Sequence, residues 1–148
     1  MERNSRRQLL WHGMFLFLLG LLSGFAGGGV RNPRMGLSAH IEGVMNGTFL
    51  LVLGAVWTEV RLPDRAKAVA WWSALYGAYV NWGVTMLAAV LGTAALTPLT
   101  AGAGGAPWQE TLVTVGFMSV GLAMVLAAVL TLWGLGGRPS GQADATSR

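Results

Sequence analysis

The chain has no cysteine, so it holds no disulfide, no thiolate metal site and no cysteine nucleophile. Charge is almost as scarce. Only 11% of its 148 residues are charged, against about a quarter in a water-soluble domain. That shortage argues against an ordinary soluble globular protein. The formal net charge of +4 comes from basic residues scattered along the flanks of apolar runs. They form no nucleic-acid-binding pattern, and no nucleic acid is expected as a partner. There is no internal repeat and no mark of a second domain.

What the chain has in quantity is apolar residues, 53% by count, and 22 glycines. The apolar residues gather in four runs, about Leu9–Ala26, Met35–Trp57, Ala68–Leu91 and Leu112–Leu135. Each approaches or exceeds the roughly 20 residues that a spanning helix needs. This predicts an all-α protein, an integral membrane four-helix bundle in the lipid bilayer. A single domain covers residues 1–137, and 138–148 form a polar, disordered tail. The first run follows the basic MERNSRR, as a signal peptide would. It is long for one, and GGGVRNPR is a poor cleavage site, so it reads as a retained helix. With the N-terminus inside, Arg3, Arg6, Arg7, Arg61, Arg65, Lys67, Arg138 and Arg148 lie inside, and Arg31 and Arg34 outside. The positive-inside bias therefore places both termini in the cytoplasm. Trp11, Trp57, Trp71, Trp72 and Trp133 gather near the inner ends and Trp108 near an outer one, as interfacial anchors do.

The second run is interrupted by polar residues. GLSAHIEGVMNG, residues 36–47, sets a histidine, a glutamate and an asparagine where lipid is expected. Ionisable groups there mark a functional site by default. At helical spacing, Gly36, His40, Gly43, Gly47 and Gly54 share one strip of nearly bare backbone. Close helix packing explains the glycines alone equally well. A flat macrocycle on the glycines, with its iron on His40, explains glycines and histidine together. Glu42 and Asn46 are four apart and share the neighbouring stripe. A helix–helix hydrogen bond is one reading of them. A polar wall with Glu42 as proton donor is the other.

Pro63 marks a short turn, so the second and third runs form an antiparallel hairpin. A turn centred near Pro63–Asp64 sets Asn46 level with Asn81 and Glu42 level with Thr85. Four polar side chains then meet at one depth, as a structural polar network also would. His12, the other histidine, lies near the inner end of the first run and reads as interfacial. It is separated from His40 by roughly 15–20 Å of depth. Both cannot ligate one haem within a subunit, so a haem on His40 would keep an open axial position unless a methionine such as Met45 or Met86 filled it.

At these residues the chain becomes recognisable. NPRMGLSAHIEGVMNGTFL, followed by YGAYVNWG, resembles the membrane hydroxylaminobenzene mutases and, more distantly, the styrene oxide isomerases. The shared pattern falls on Ala39-His40, Asn46-Gly47, Asn81-Trp82-Gly83 and His12-Gly13. It covers all four runs. The resemblance implies haem b with its iron on the histidine at His40, substrate-facing asparagines at Asn46 and Asn81, and a homotrimer with haem near subunit interfaces. It also implies a bacterial inner (cytoplasmic) membrane and a setting in nitroaromatic degradation. Two departures stand out. Thr85 replaces the tyrosine of the isomerases, and Glu42 replaces a glycine.

Those departures favour the mutase reaction, in which a small aromatic substrate, an aryl hydroxylamine, becomes a 2-aminophenol. The expected site is metal ligand His40 on ferric haem b, with Gly36, Gly43 and Gly47 as the cofactor's bed. Glu42, Asn46, Asn81 and Thr85 are the catalytic group. Alternatives are an epoxide-to-aldehyde isomerase on the same haem, a non-enzymatic b-type membrane cytochrome, and a transporter or packing subunit without cofactor.

Overall fold

The computed structural model describes residues 2–26, 29–96 and 104–136. Within these the chain forms four α-helices and no strand: α1 (Glu2–Ala26), α2 (Pro33–Val56), α3 (Asp64–Leu91) and α4 (Pro107–Leu135). All four are long and apolar enough to cross a membrane. Each contains one apolar run, and α1, α3 and α4 begin several residues before it. Their first turns are polar or basic, with Arg6 and Arg7 in α1 and Arg65 and Lys67 in α3. Such residues suit the headgroup layer while the helix continues beneath them. The tail at 138–148 lies outside the described residues.

Local signals set the helix ends. Asn32 is the N-cap of α2; its side chain accepts from Met35 N at 3.2 Å, and Pro33 takes the first helical position. A proline there loses nothing, because that N–H has no partner within the helix. Pro63 is the N-cap of α3, and Pro107 opens α4. The third helix closes on Gly92 at φ 73°, the left-handed conformation that favours glycine. Backbone bonds then tie neighbouring ends together. Asn32 N donates to Ala89 O at 3.0 Å at one end, and Arg61 N donates to Gly134 O at 2.9 Å at the other. Between α3 and α4, the Glu110 carboxylate accepts from the backbone N–H groups of Ala94, Ala95 and Gly105 at 2.7–3.2 Å.

The helices pack in chain order, α1 on α2, α2 on α3 and α3 on α4, with a slighter contact of α1 on α3. The main core sits among the first three, around Leu9, Leu16, Leu50, Leu53, Trp57 and Ala74. The fourth helix leans on α3 and on the turn before it. Its Leu122, Val125, Val129 and Leu132 stay exposed, as lipid-facing residues do. Apolar burial drives little association between helices in lipid, so close backbone contact has to supply it. Glycines allow that contact. A Cβ on Gly47 would stand 2.5 Å from Phe17 N, and one on Gly20 would stand 2.5 Å from Val44 N.

Two expectations about the inner end need correction. Trp57 is 1% exposed, a core residue under the Lys67 ammonium rather than an interfacial anchor. His12 is half-buried between helices, with Nδ1 3.0 Å from the Tyr79 hydroxyl. Trp11 and Trp71 pack against its ring.

Candidate active site

His40 lies two turns into α2 and turns toward α1. Its Nδ1 stands 2.8 Å from the carbonyl oxygen of Gly20. A carbonyl only accepts, so Nδ1 carries the proton and donates it. Nε2 then keeps its lone pair, the form in which a histidine binds a metal or takes a proton. The ring fits there because Gly24 has no side chain; a Cβ on Gly24 would come within 2.9 Å of Nδ1.

The expected glycine bed is not open. Gly43 meets the backbone of Gly20 and the Trp82 ring, and Gly47 meets Phe17 and Gly13. Gly36 is buried one turn before His40. Gly43 and Gly47, two of the glycines expected to support a planar group, are covered by α1. Small residues on one helix suit either occupant, and the matching glycines of α1 decide between them.

The polar half of the site faces α3. Glu42 Oε2 accepts the side-chain amide of Asn46 at 3.3 Å and also that of Asn81 across the helix interface. One carboxylate oxygen thus gathers both asparagines, and Oε1 is left as the atom able to hold a proton. Thr85 is buried, but its hydroxyl donates to Asn81 O at 2.8 Å rather than to Glu42. Thr85 therefore supports Asn81 from below instead of pairing with the carboxylate. The expected register, Asn46 with Asn81 and Glu42 with Thr85, is off by about one turn. The cause is the turn itself. It runs from Trp57 to Pro63, with Pro63 at its last position rather than its centre.

No hydrogen bond joins His40 to Glu42, Asn46 or Asn81. They occupy different faces of α2, and a second set of residues connects them. Trp82, next to Asn81 on α3, passes over Gly43 and donates its indole N–H to Ser23 Oγ on α1 at 3.1 Å. The Ser23 hydroxyl points to the carbonyls of Leu19 and Gly20 at 2.7 and 3.0 Å. Gly20 O is the same atom that holds His40. Gly20, Ser23, Gly24 and Trp82 were absent from the expected site. The signals for them were the Gly20-x3-Gly24 spacing in the first run, with a serine inside it, and the place of Trp82 in the family pattern Asn81-Trp82-Gly83.

A cavity of about 480 Å³ lies at the other, basic end, lined by Ser5, Gln8, Trp57, Lys67 and Trp71 among others. It includes none of the residues above. Among the described residues, no three of His, Cys, Asp and Glu gather as a metal cage. A metal held by this chain would need to bring most of its own donors.

Comparison with known proteins agrees with the resemblance read from the second and third runs. The styrene oxide isomerase family matches residues 5–136. Hydroxylaminobenzene mutase HabB of Ectopseudomonas oleovorans is 44% identical over 136 residues, covering 90% of this chain and 83% of the relative. Hydroxylaminobenzene mutase HabA of the same organism is 38% identical over 125 residues, covering 83% of this chain and 93% of the relative. No solved structure matches. The matched span runs through all four helices, and the chain belongs to the styrene oxide isomerase family, a family of isomerases.

Proposed function

We propose that the protein is a membrane mutase that converts hydroxylaminobenzene-type aryl hydroxylamines to 2-aminophenols. The observation that carries this reading is the convergence of Asn46 and Asn81 on the Glu42 carboxylate, in a chain 44% identical to a hydroxylaminobenzene mutase. The reaction is an isomerisation. The N–O bond breaks, a C–O bond forms at the ortho carbon, and the proton lost from that carbon is matched by one gained at nitrogen, so the net composition is unchanged.

Each polar residue has a task in this chemistry. Glu42, with Oε1 free of the two amides, delivers a proton to the departing hydroxyl oxygen and recovers one when the ring regains aromaticity. Asn46 and Asn81 keep Oε2 occupied and hold the carboxyl group in a fixed orientation. Their amide oxygens remain available to accept from the substrate's NH and OH. Thr85 holds the Asn81 backbone. The apolar helix faces receive the ring and keep out bulk water, which would otherwise capture an electron-poor ring carbon.

His40 would hold haem b through Nε2. Its Nδ1 is engaged by a carbonyl, its Nε2 bears the lone pair, and a porphyrin brings the other four donors. Bound there, ferric haem would supply a Lewis acid for the hydroxyl oxygen. A homotrimer with haem near its subunit interfaces is the assembly we propose, in a bacterial inner membrane with both termini cytoplasmic.

The test uses detergent-purified protein, its absorption spectrum, and turnover of phenylhydroxylamine and styrene oxide on one preparation. The expected result is a Soret band, 2-aminophenol as product and no aldehyde from the epoxide. A His40→Ala variant with full mutase activity and no haem would remove the haem role. Aldehyde formation in place of aminophenol would make the chain an epoxide isomerase.

A further inference from the structure

We infer that Ser23 and Trp82 are positioning residues for His40, forming a clamp that draws on three helices. The inference rests on the reading of His40 as the residue that acts through Nε2. It adds that the ring's tautomer is set from α3, by way of α1.

The argument begins with what each group is able to do. An indole N–H is a donor only. Trp82 therefore donates to Ser23 Oγ at 3.1 Å, and the serine is the acceptor toward it. Its own hydrogen must point away from the indole, and the acceptors on that side are Leu19 O at 2.7 Å and Gly20 O at 3.0 Å. Ser23 is 4% exposed, so water does not compete for the hydroxyl. A helical serine bonded back to the preceding turn bends the helix and tilts its carbonyls. One of the two carbonyls within reach of Ser23 is Gly20 O, which stands 2.8 Å from His40 Nδ1. A free serine hydroxyl would sample several rotamers. The indole removes that freedom and fixes the carbonyl geometry on which the histidine depends.

The clamp also explains why the site can occupy two faces of α2. Asn81 and Trp82 are consecutive. One sends its amide to Glu42, and the next reaches past Gly43 to Ser23, whose hydroxyl meets the carbonyl that holds His40. A single turn of α3 therefore sets both halves. Trp82 can cross only because Gly43 has no side chain; a Cβ there would come within 2.9 Å of the indole Cδ1.

The experiment measures the exchange with water of the His40 Nδ1 proton. It uses the full-length, as-purified protein labelled with 15N-histidine, in the diamagnetic carbon-monoxide-bound ferrous form where haem is carried. His40→Ala assigns the signals by removing them. The variants are Trp82→Phe, which keeps a ring over Gly43 without the N–H, and Ser23→Ala. The wild type is expected to show one protonated Nδ1 in slow exchange. Both variants, folded by circular dichroism, should exchange about five- to tenfold faster, the equivalent of one net hydrogen bond. Should Ser23→Ala fail to fold, Trp82→Phe alone decides. Unchanged exchange in folded Trp82→Phe would overturn the clamp. Full mutase turnover by His40→Ala would instead overturn the functional reading of the histidine, and the exchange result would still stand.

Discussion

Asn81 on α3 donates its side-chain amide to Oε2 of Glu42 on α2, the same oxygen that takes the amide of Asn46. Under the proposed function this bond gives one carboxylate two roles, as acceptor for both amides and as acid. Glu42→Gln keeps an acceptor for both amides but removes the acid. Its thermal midpoint should stay near the wild type while kcat falls about 10²–10⁴-fold, the usual contribution of a positioned proton donor. Glu42→Ala removes the acceptor too and strands two amides. It should lose about 1 kcal/mol of stability as well, since hydrogen bonds inside a membrane are worth little more than in water. Unchanged turnover in Glu42→Gln would reduce the residue to a packing partner.

Gly24 and His40 predict an activity defect without a folding defect. A methyl on Gly24 would come within 2.9 Å of His40 Nδ1, a side-chain atom that is able to move. Gly24→Ala should therefore push the ring off Gly20 O and leave the helices in place. Alanine's better helix propensity, about 1 kcal/mol over glycine, offsets the small repacking cost. The expected outcome is a near-normal melting curve with lost turnover and, if haem is bound, a weakened or altered Soret band. A fully active Gly24→Ala would show that His40 does not need its carbonyl partner.

Gly47 gives the opposite result. Its Cβ would meet the backbone nitrogen of Phe17 at 2.5 Å, and a backbone has no rotamer to change. Gly47→Ala should wedge α1 from α2 and destabilise the protein by about 1–3 kcal/mol, the usual cost of overpacking. Thermal unfolding in a fixed detergent checks it, with Gly24→Ala as comparison. Equal melting of the two variants would contradict the packing described for α1 and α2.

These contrasts mark where the sequence was legible. Four apolar runs, with Pro33, Pro63, Pro107 and Gly92 at their edges, give the helices, because each edge residue has a backbone reason to stand there. Glu42 and Asn46 are legible as a pair, since four residues on one helix lie on one face. Asn81 was found at roughly the right depth, but the register slipped by a turn. The register of a membrane hairpin depends on where its turn is centred, and Pro63 stands at the end of this turn rather than at its centre. The glycine strip was visible, but its occupant was not. Which helix fills a groove depends on residues far away in the chain, here Gly13 and Gly20. The Ser23–Trp82 bond was hidden for a different reason. A tryptophan in an apolar run reads as apolar surface, and its single N–H finds a partner 59 residues away.

Tyr79, two residues before Asn81 and on another face of α3, supplies the control. Its hydroxyl lies 3.0 Å from His12 Nδ1 and donates to His12 O at 3.4 Å. This pair has an aromatic setting of Trp11 and Trp71 and shares no hydrogen bond with Glu42 or His40. Tyr79→Phe keeps the ring and loses only those bonds. It should cost about 0.5–1.5 kcal/mol of stability, the net value of a hydrogen bond, and leave turnover intact. His12→Gln should behave alike, with the haem spectrum unchanged if haem is bound, because eight residues of α1, about 12 Å of helix, separate His12 from Gly20, where His40 makes its contact. Loss of turnover in a stably folded Tyr79→Phe would show that proton movement reaches the His12–Tyr79 pair, and that the chemistry is not confined to the α2–α3 cluster.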